Sequence, residues 1–221
     1  MVWEALKKNL KNNYKQRLQF VLFFLVLLTL FYIFSFMVKG GRLARFDFDM
    51  TVRVQDKIVT RWDPLLSIFS LIGSFEATVA ILIFVVILTR KLRAFIPLFF
   101  FGLMHVVEIV GKAFLDHPGT PFMFHRYSLD LIFPSSYVQP GGSYPSGHAM
   151  RSAFLATIII FLIVKSKRFS QITKRVLIGL LFLFLIIMMV SRISLGEHWT
   201  SDVIGGTLLG TAFSLLSLAV F

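Results

Sequence analysis

LQFVLFFLVLLTLFYIFSFMV, residues 18–38, runs for 21 positions without a charged side chain. A helix of that length rises about 30 Å, the thickness of bilayer hydrocarbon, so the stretch reads as a membrane span. It is too long for the apolar region of a signal peptide and has no Ala-x-Ala-like cleavage site. With the mostly polar, basic residues 1–17 before it, it reads as a retained first span.

The rest of the chain agrees. Of 221 residues, 57% are hydrophobic and 15% aromatic, and the mean hydropathy is +0.80. A soluble domain of this size does not carry so much apolar side chain, so lipid is part of its solvent. Taken alone, the net charge of +12 would suggest nucleic acid, but the basic residues cluster between apolar runs, as membrane topology requires. No nucleic-acid partner is expected. The absence of cysteine excludes a disulfide framework, a thiolate metal site and a Cys nucleophile, and leaves the redox compartment unread. Any chemistry must come from His, Ser, Lys, Arg, Asp or Glu.

At about 20 residues per crossing, six spans are expected, near 18–38, 64–88, 94–115, 148–164, 176–194 and 199–221. The expectation is an all-α, six-transmembrane helical bundle forming one domain, residues 1–221. Thirteen basic residues and one acid, Glu4, lie on the side of the N-terminus and the links near 90–93 and 165–175. By the positive-inside rule that side, with both termini, is cytoplasmic. Loops near 39–63 and 116–147 then face outward. In the first, Phe48, Val52, Val54, Ile58 and Val59 are loosely spaced as one helical face, which predicts a short interfacial helix between Phe46 and Trp62. The second is punctuated by Pro, Gly, Ser and His and reads as a structured loop.

Polar residues gather at that outer face: His117, His125, His148 and His198, with Lys112, Arg126, Arg151, Arg192 and Asp202. A lone Lys or Arg at a span end is ordinarily a snorkelling or capping group, but a set this dense is not explained that way. Tyr144-Pro145-Ser146-Gly147-His148 opens the fourth span. A Ser hydroxyl and free backbone N–H groups at a helix start favour an anion, although Pro-Ser-Gly alone is also a plain helix cap. His198 and Asp202 stand four apart at the start of the last span, where the carboxylate can hold the imidazole in one tautomer. That is a nucleophile with its orienter, and Arg192 at the end of the preceding span offers a planar fork for two phosphate oxygens. Glu108, one turn before Lys112, reads as the carboxylate that positions it. His105, Glu76 and His117 read as packing or hydrogen-bonding residues.

Lys112, Pro145-Ser146-Gly147-His148, and Ser191-Arg192 with His198 and Asp202 together resemble the three-part signature of the type-2 phosphatidic acid phosphatase superfamily. The resemblance covers the chain from about Phe46 to the C-terminus. It implies that His198 attacks phosphorus, Asp202 orients it, and His148 protonates the leaving alkoxide and then activates water. Lys112, Arg192 and the Ser146–Gly147 backbone would bind phosphate oxygens. The first part departs from the family pattern of Lys, six residues, then Arg-Pro, because Gly119 and Thr120 occupy the Arg and Pro positions. Arg126 is the expected replacement, and Arg151, one turn after His148, a second candidate that would sense a second phosphate.

The implied activity is metal-independent hydrolysis of a lipid phosphate or diphosphate, of the phosphatidic acid, phosphatidylglycerophosphate or undecaprenyl pyrophosphate type. It proceeds through a phosphohistidine, with no cofactor and no metal. The partners expected are the lipid substrate and surrounding membrane lipids, in a bacterial plasma membrane. The same residues would serve a lipid phosphotransferase, and a non-catalytic membrane binding or transport protein on this fold is the remaining alternative.

Overall fold

The structure, a computed structural model, describes residues 2–89, 92–126 and 142–221, with side chains from residue 14 onward. Its elements are helices: α1 (Val2–Lys39), α2 (Ala44–Lys57), α3 (Asp63–Ile72), α4 (Phe75–Thr89), α5 (Phe95–Leu115), α6 (Gly147–Lys165), α7 (Gln171–Ser194) and α8 (Thr200–Val220). Five stretches, within α1, α5, α6, α7 and α8, are long and apolar enough to cross a membrane, and α3 with α4 forms a bent sixth. This is an all-helical integral membrane fold. The segment 127–141 of the expected outer loop lies outside the described residues.

Differences in burial separate core from lipid-facing helices. In α6 and α8, 61% of the apolar window is buried inside the protein, against 17–28% in the other long spans. Lipid is as apolar as Leu, so helices in a membrane associate by close packing at small residues rather than by hydrophobicity. Gly206 and Gly210 supply it: a Cβ at these positions would lie 2.3 Å from the Ser146 carbonyl oxygen and 2.1 Å from that of Met150. The α6 backbone therefore lies directly on α8. Large side chains at either glycine would push the two site-bearing helices apart.

Two expectations change. The span near 64–88 is broken at Gly73 and Ser74, where α3 and α4 meet at 51°. The cause is tertiary as well as local. Gly73 presses against α6 so closely that a Cβ would lie 2.9 Å from Ser152 Oγ and 3.2 Å from the His148 carbonyl oxygen. Ser74 then restarts the helix, its Oγ accepting the Ala77 N–H at 3.3 Å. The helix expected between Phe46 and Trp62 is α2, Ala44–Lys57, followed by one 3-10 turn, Thr60–Trp62. Its inner face buries Asp47 and Thr51, while Phe46, Phe48 and Arg53 are exposed.

Asp47 fixes α2 to the bundle. Both its oxygens are used at 2.7 Å, Oδ1 by the Ser201 N–H and Oδ2 by the Ser201 hydroxyl, so a side chain from α2 caps the first turn of α8. Tyr144 pins the other approach. Fully buried, it stacks on Phe31 at 6.0 Å and shares a 2.9 Å hydrogen bond with Ser35 of α1.

Candidate active site

Ser146 takes the N-cap of α6, and its own N–H donates to the Asp202 carbonyl at 2.9 Å, joining the first turns of α6 and α8. Gly147 leaves room for the α5 side chain below it: a Cβ there would stand 2.4 Å from Glu108 Oε1 and 2.8 Å from Arg151 Nη1. The Pro-Ser-Gly-His segment thus brings a helix start capped by the Ser146 hydroxyl, with its partial positive charge, against a carboxylate that holds two cations.

Between α7 and α8 the chain reverses within residues 195–199. Gly196 has φ +71°, and the N–H groups of Glu197 and His198 both donate to the Arg192 carbonyl, at 3.1 and 3.2 Å. His198 then faces Asp202. Its Nδ1 lies 3.3 Å from Asp202 Oδ2 and 3.2 Å from Ser143 Oγ, and among the described residues Nε2 has no partner. A carboxylate only accepts, so the proton belongs on Nδ1 and the lone pair on Nε2. Burial pushes the imidazole below its ordinary pKa, while its hydrogen bond to Asp202 opposes this. With the proton on Nδ1, Nε2 keeps a lone pair, the form in which an imidazole can act as a nucleophile.

Asp202 is completely buried and well supplied with donors. Its Oδ2 also accepts the Ser143 hydroxyl at 2.6 Å and the Trp199 N–H at 2.9 Å, and Oδ1 accepts from His117 Nδ1 at 2.9 Å.

The cations lie around this pair. Lys112 Nζ is 3.1 Å from Glu108 Oε1, and Arg151 Nη1 is 3.8 Å from Oε2 of the same carboxylate. Arg151 Nε donates to the Gly73 carbonyl at 2.7 Å, which leaves Nη2 3.5 Å from His148 Nδ1. Arg192 bonds to Ser70 and to the Glu197 carboxylate, and its buried Nε has no partner among the described residues. The charges of Lys112 and Arg192 act on His198, and those of Arg192, Arg151, Lys112 and His198 on His148. The residues singled out from three segments of sequence share one electrostatic environment.

Arg126 does not join them. Its guanidinium donates to the carbonyls of Ile58 and Gln55, at 2.8 and 2.7 Å, and lies 3.7 Å from Asp63. It closes the C-terminal end of α2, where carbonyls lack helical partners. Ser143, Asp47 and the contact between His117 and Asp202 escape sequence reasoning. Ser143 lies outside every signature segment, and Asp47 is marked only as an acid on the inner face of an amphipathic helix.

The sequence profile of the PAP2 superfamily matches residues 93–221. Phosphatidylglycerophosphatase B of Bacillus subtilis is 34% identical over 36% of this chain and 37% of its own length. The chain thus matches little more than a third of that relative. An undecaprenyl-diphosphatase of Sulfolobus acidocaldarius is 24% identical over 90% of this chain and 91% of its own. The crystal structure of a transmembrane PAP2 type phosphatidylglycerolphosphate phosphatase from Bacillus subtilis superposes with a TM-score of 0.71. It covers 89% of this chain and 93% of that one at 18% identity, a likeness of fold.

Proposed function

The chain belongs to the PAP2 superfamily, and from that premise we propose that it is a membrane lipid phosphatase with His198 as its nucleophile. The observation that carries the reading is the His198–Asp202 pair: Nδ1 is held at 3.3 Å and Nε2 is left free beside Lys112 and Arg192. His198 Nε2 attacks phosphorus, and the lipid oxygen leaves with a proton from His148. Water, giving its proton back to His148, then cleaves the phosphohistidine and releases phosphate. Asp202 stabilises the Nδ1–H that becomes more acidic while phosphate is attached. Lys112, Arg192 and the N–H groups at the start of α6 stabilise charge on the transferring oxygens, the largest catalytic contribution available to a site of this kind.

Arg151, rather than Arg126, is the third cation in this reading, because its Nη2 lies beside His148 while Arg126 is used at the end of α2. The substrate is a lipid monophosphate or diphosphate entering at headgroup level. The named activities of the relatives, a phosphatidylglycerophosphatase and an undecaprenyl-diphosphatase, support both kinds. The site faces outward from a bacterial plasma membrane, with both termini cytoplasmic, as the distribution of basic residues supports.

The test is a panel of lipid mono- and diphosphates assayed with detergent-purified protein, with and without chelator, measuring free phosphate against phosphorylated acceptor. Wild type releases phosphate in both conditions, and His198→Ala retains its fold and loses turnover. Hydrolysis by that variant near the wild-type rate would reject the mechanism.

A further inference from the structure

His117 stands five residues after Lys112, in the loop whose sequence departs from the family. Its Nδ1 is closer to Asp202 than that of His198, at 2.9 Å from Oδ1 against 3.3 Å from Oδ2. Because a carboxylate can only accept, His117 carries its proton on Nδ1. The two oxygens are unequally supplied. Oδ2 takes Ser143, the Trp199 N–H and His198, whereas Oδ1 has His117 as its donor among the described residues. Without it, a buried carboxylate oxygen would be unpaired and the group would be free to turn about its last bond.

The loop is tied down so as to deliver this side chain. Asp116 adopts φ 44°, a left-handed conformation uncommon outside glycine, immediately before His117. The His117 carbonyl accepts the Ser143 N–H at 2.8 Å, and the neighbouring Pro118 carbonyl accepts the Trp199 indole N–H at 2.9 Å. The imidazole meets the Tyr144 ring edge-on at 6.4 Å. Ser143 and Trp199, which hold this loop, are themselves donors to Asp202, beside His198.

We propose that His117 is a positioning residue: it fixes the rotation of the Asp202 carboxylate, so that Oδ2 stays on His198 Nδ1 and the attacking lone pair stays on Nε2. The role rests on the phosphatase reading above. His117 acts through Asp202 and not on phosphate, so its loss lowers kcat and leaves KM unchanged. It also shifts the pH profile. His117 meets Asp202 and Tyr144; His198, whose titration is read, faces Asp202 and the charges of Arg192 and Lys112, and Asp47 of α2 lies near enough to act on Asp202. Removing the Oδ1 donor concentrates negative charge toward His198 and favours its protonated, non-nucleophilic form, so the acid limb of kcat moves to higher pH.

His117→Asn and His117→Leu have the same branched shape, but only Asn keeps an N–H near the position of Nδ1. Full-length protein in detergent is assayed for lipid phosphate hydrolysis across pH. His117→Leu is expected to lose on the order of tenfold or more in kcat with its acid limb raised, and His117→Asn to recover most of both. Wild-type behaviour of His117→Leu, or equal losses in the two variants, would overturn the role. If His117→Leu does not fold, His117→Met replaces it and is read the same way. A wild type that hydrolyses no lipid phosphate overturns the phosphatase reading and this role with it, whereas an active wild type indifferent to His117 overturns the role alone.

Discussion

Two buried carboxylates organise this site, and they keep different company. Asp202 receives neutral donors and imidazoles: His117, Ser143, the Trp199 N–H and His198. Glu108 holds the ammonium of Lys112 and the guanidinium of Arg151, with the His105 ring at 3.8 Å. The first arrangement defines a direction, since hydrogen bonds to both oxygens determine where an imidazole proton lies. The second defines a charge balance. Cations drawn together for phosphate repel one another where lipid supplies no counterion, and a fixed anion beneath them keeps them in place.

Breaking the directional carboxylate should have the largest effect. Asp202→Asn presents an N–H to His198 and favours the wrong tautomer, so kcat should fall by about three to four orders of magnitude, as when the same exchange is made in a Ser-His-Asp triad. Single-turnover formation of the phosphoenzyme measures it, and a loss below tenfold would remove the distinction between the two acids. Glu108→Gln keeps the shape and deletes the charge. Leaving buried cations uncompensated should cost about 3 kcal/mol of stability, read as a lower unfolding temperature in detergent together with weaker inhibition by vanadate. Unchanged values for both would mean that the cations need no anchor. Ser143→Ala is the mildest, since Oδ2 keeps two other donors: about 1 kcal/mol, a factor of about 5 in kcat, is expected. A loss beyond a hundredfold would give Ser143 a larger part than orientation.

What the sequence makes legible follows from these differences. Spans show because bilayer thickness imposes a length, and the pair His198 and Asp202 shows because they stand four apart across the start of one helix, His198 just before its cap and Asp202 in its first turn. The bond between Glu108 and Lys112 is legible for the same reason. The break at Gly73 is less visible, because its cause is the surface of α6, some 75 residues away in sequence. His117 and Ser143 reach Asp202 across 85 and 59 residues, through loop geometry that no period encodes. Arg126 shows the converse: its position in the loop suggests a phosphate ligand, while the carbonyls of Gln55 and Ile58 at the end of α2 are partners that only the fold reveals.

The bend between α3 and α4 gives Arg151 a second duty. A bilayer contains no water to satisfy a carbonyl released when a spanning helix is interrupted. At Gly73 that oxygen is met by Arg151 Nε, so the guanidinium acts there as a covalently tethered replacement for solvent. One side of the same guanidinium holds the bend and the other lies beside His148. Variation at this position is therefore felt twice, first at the bend between α3 and α4 and again beside His148.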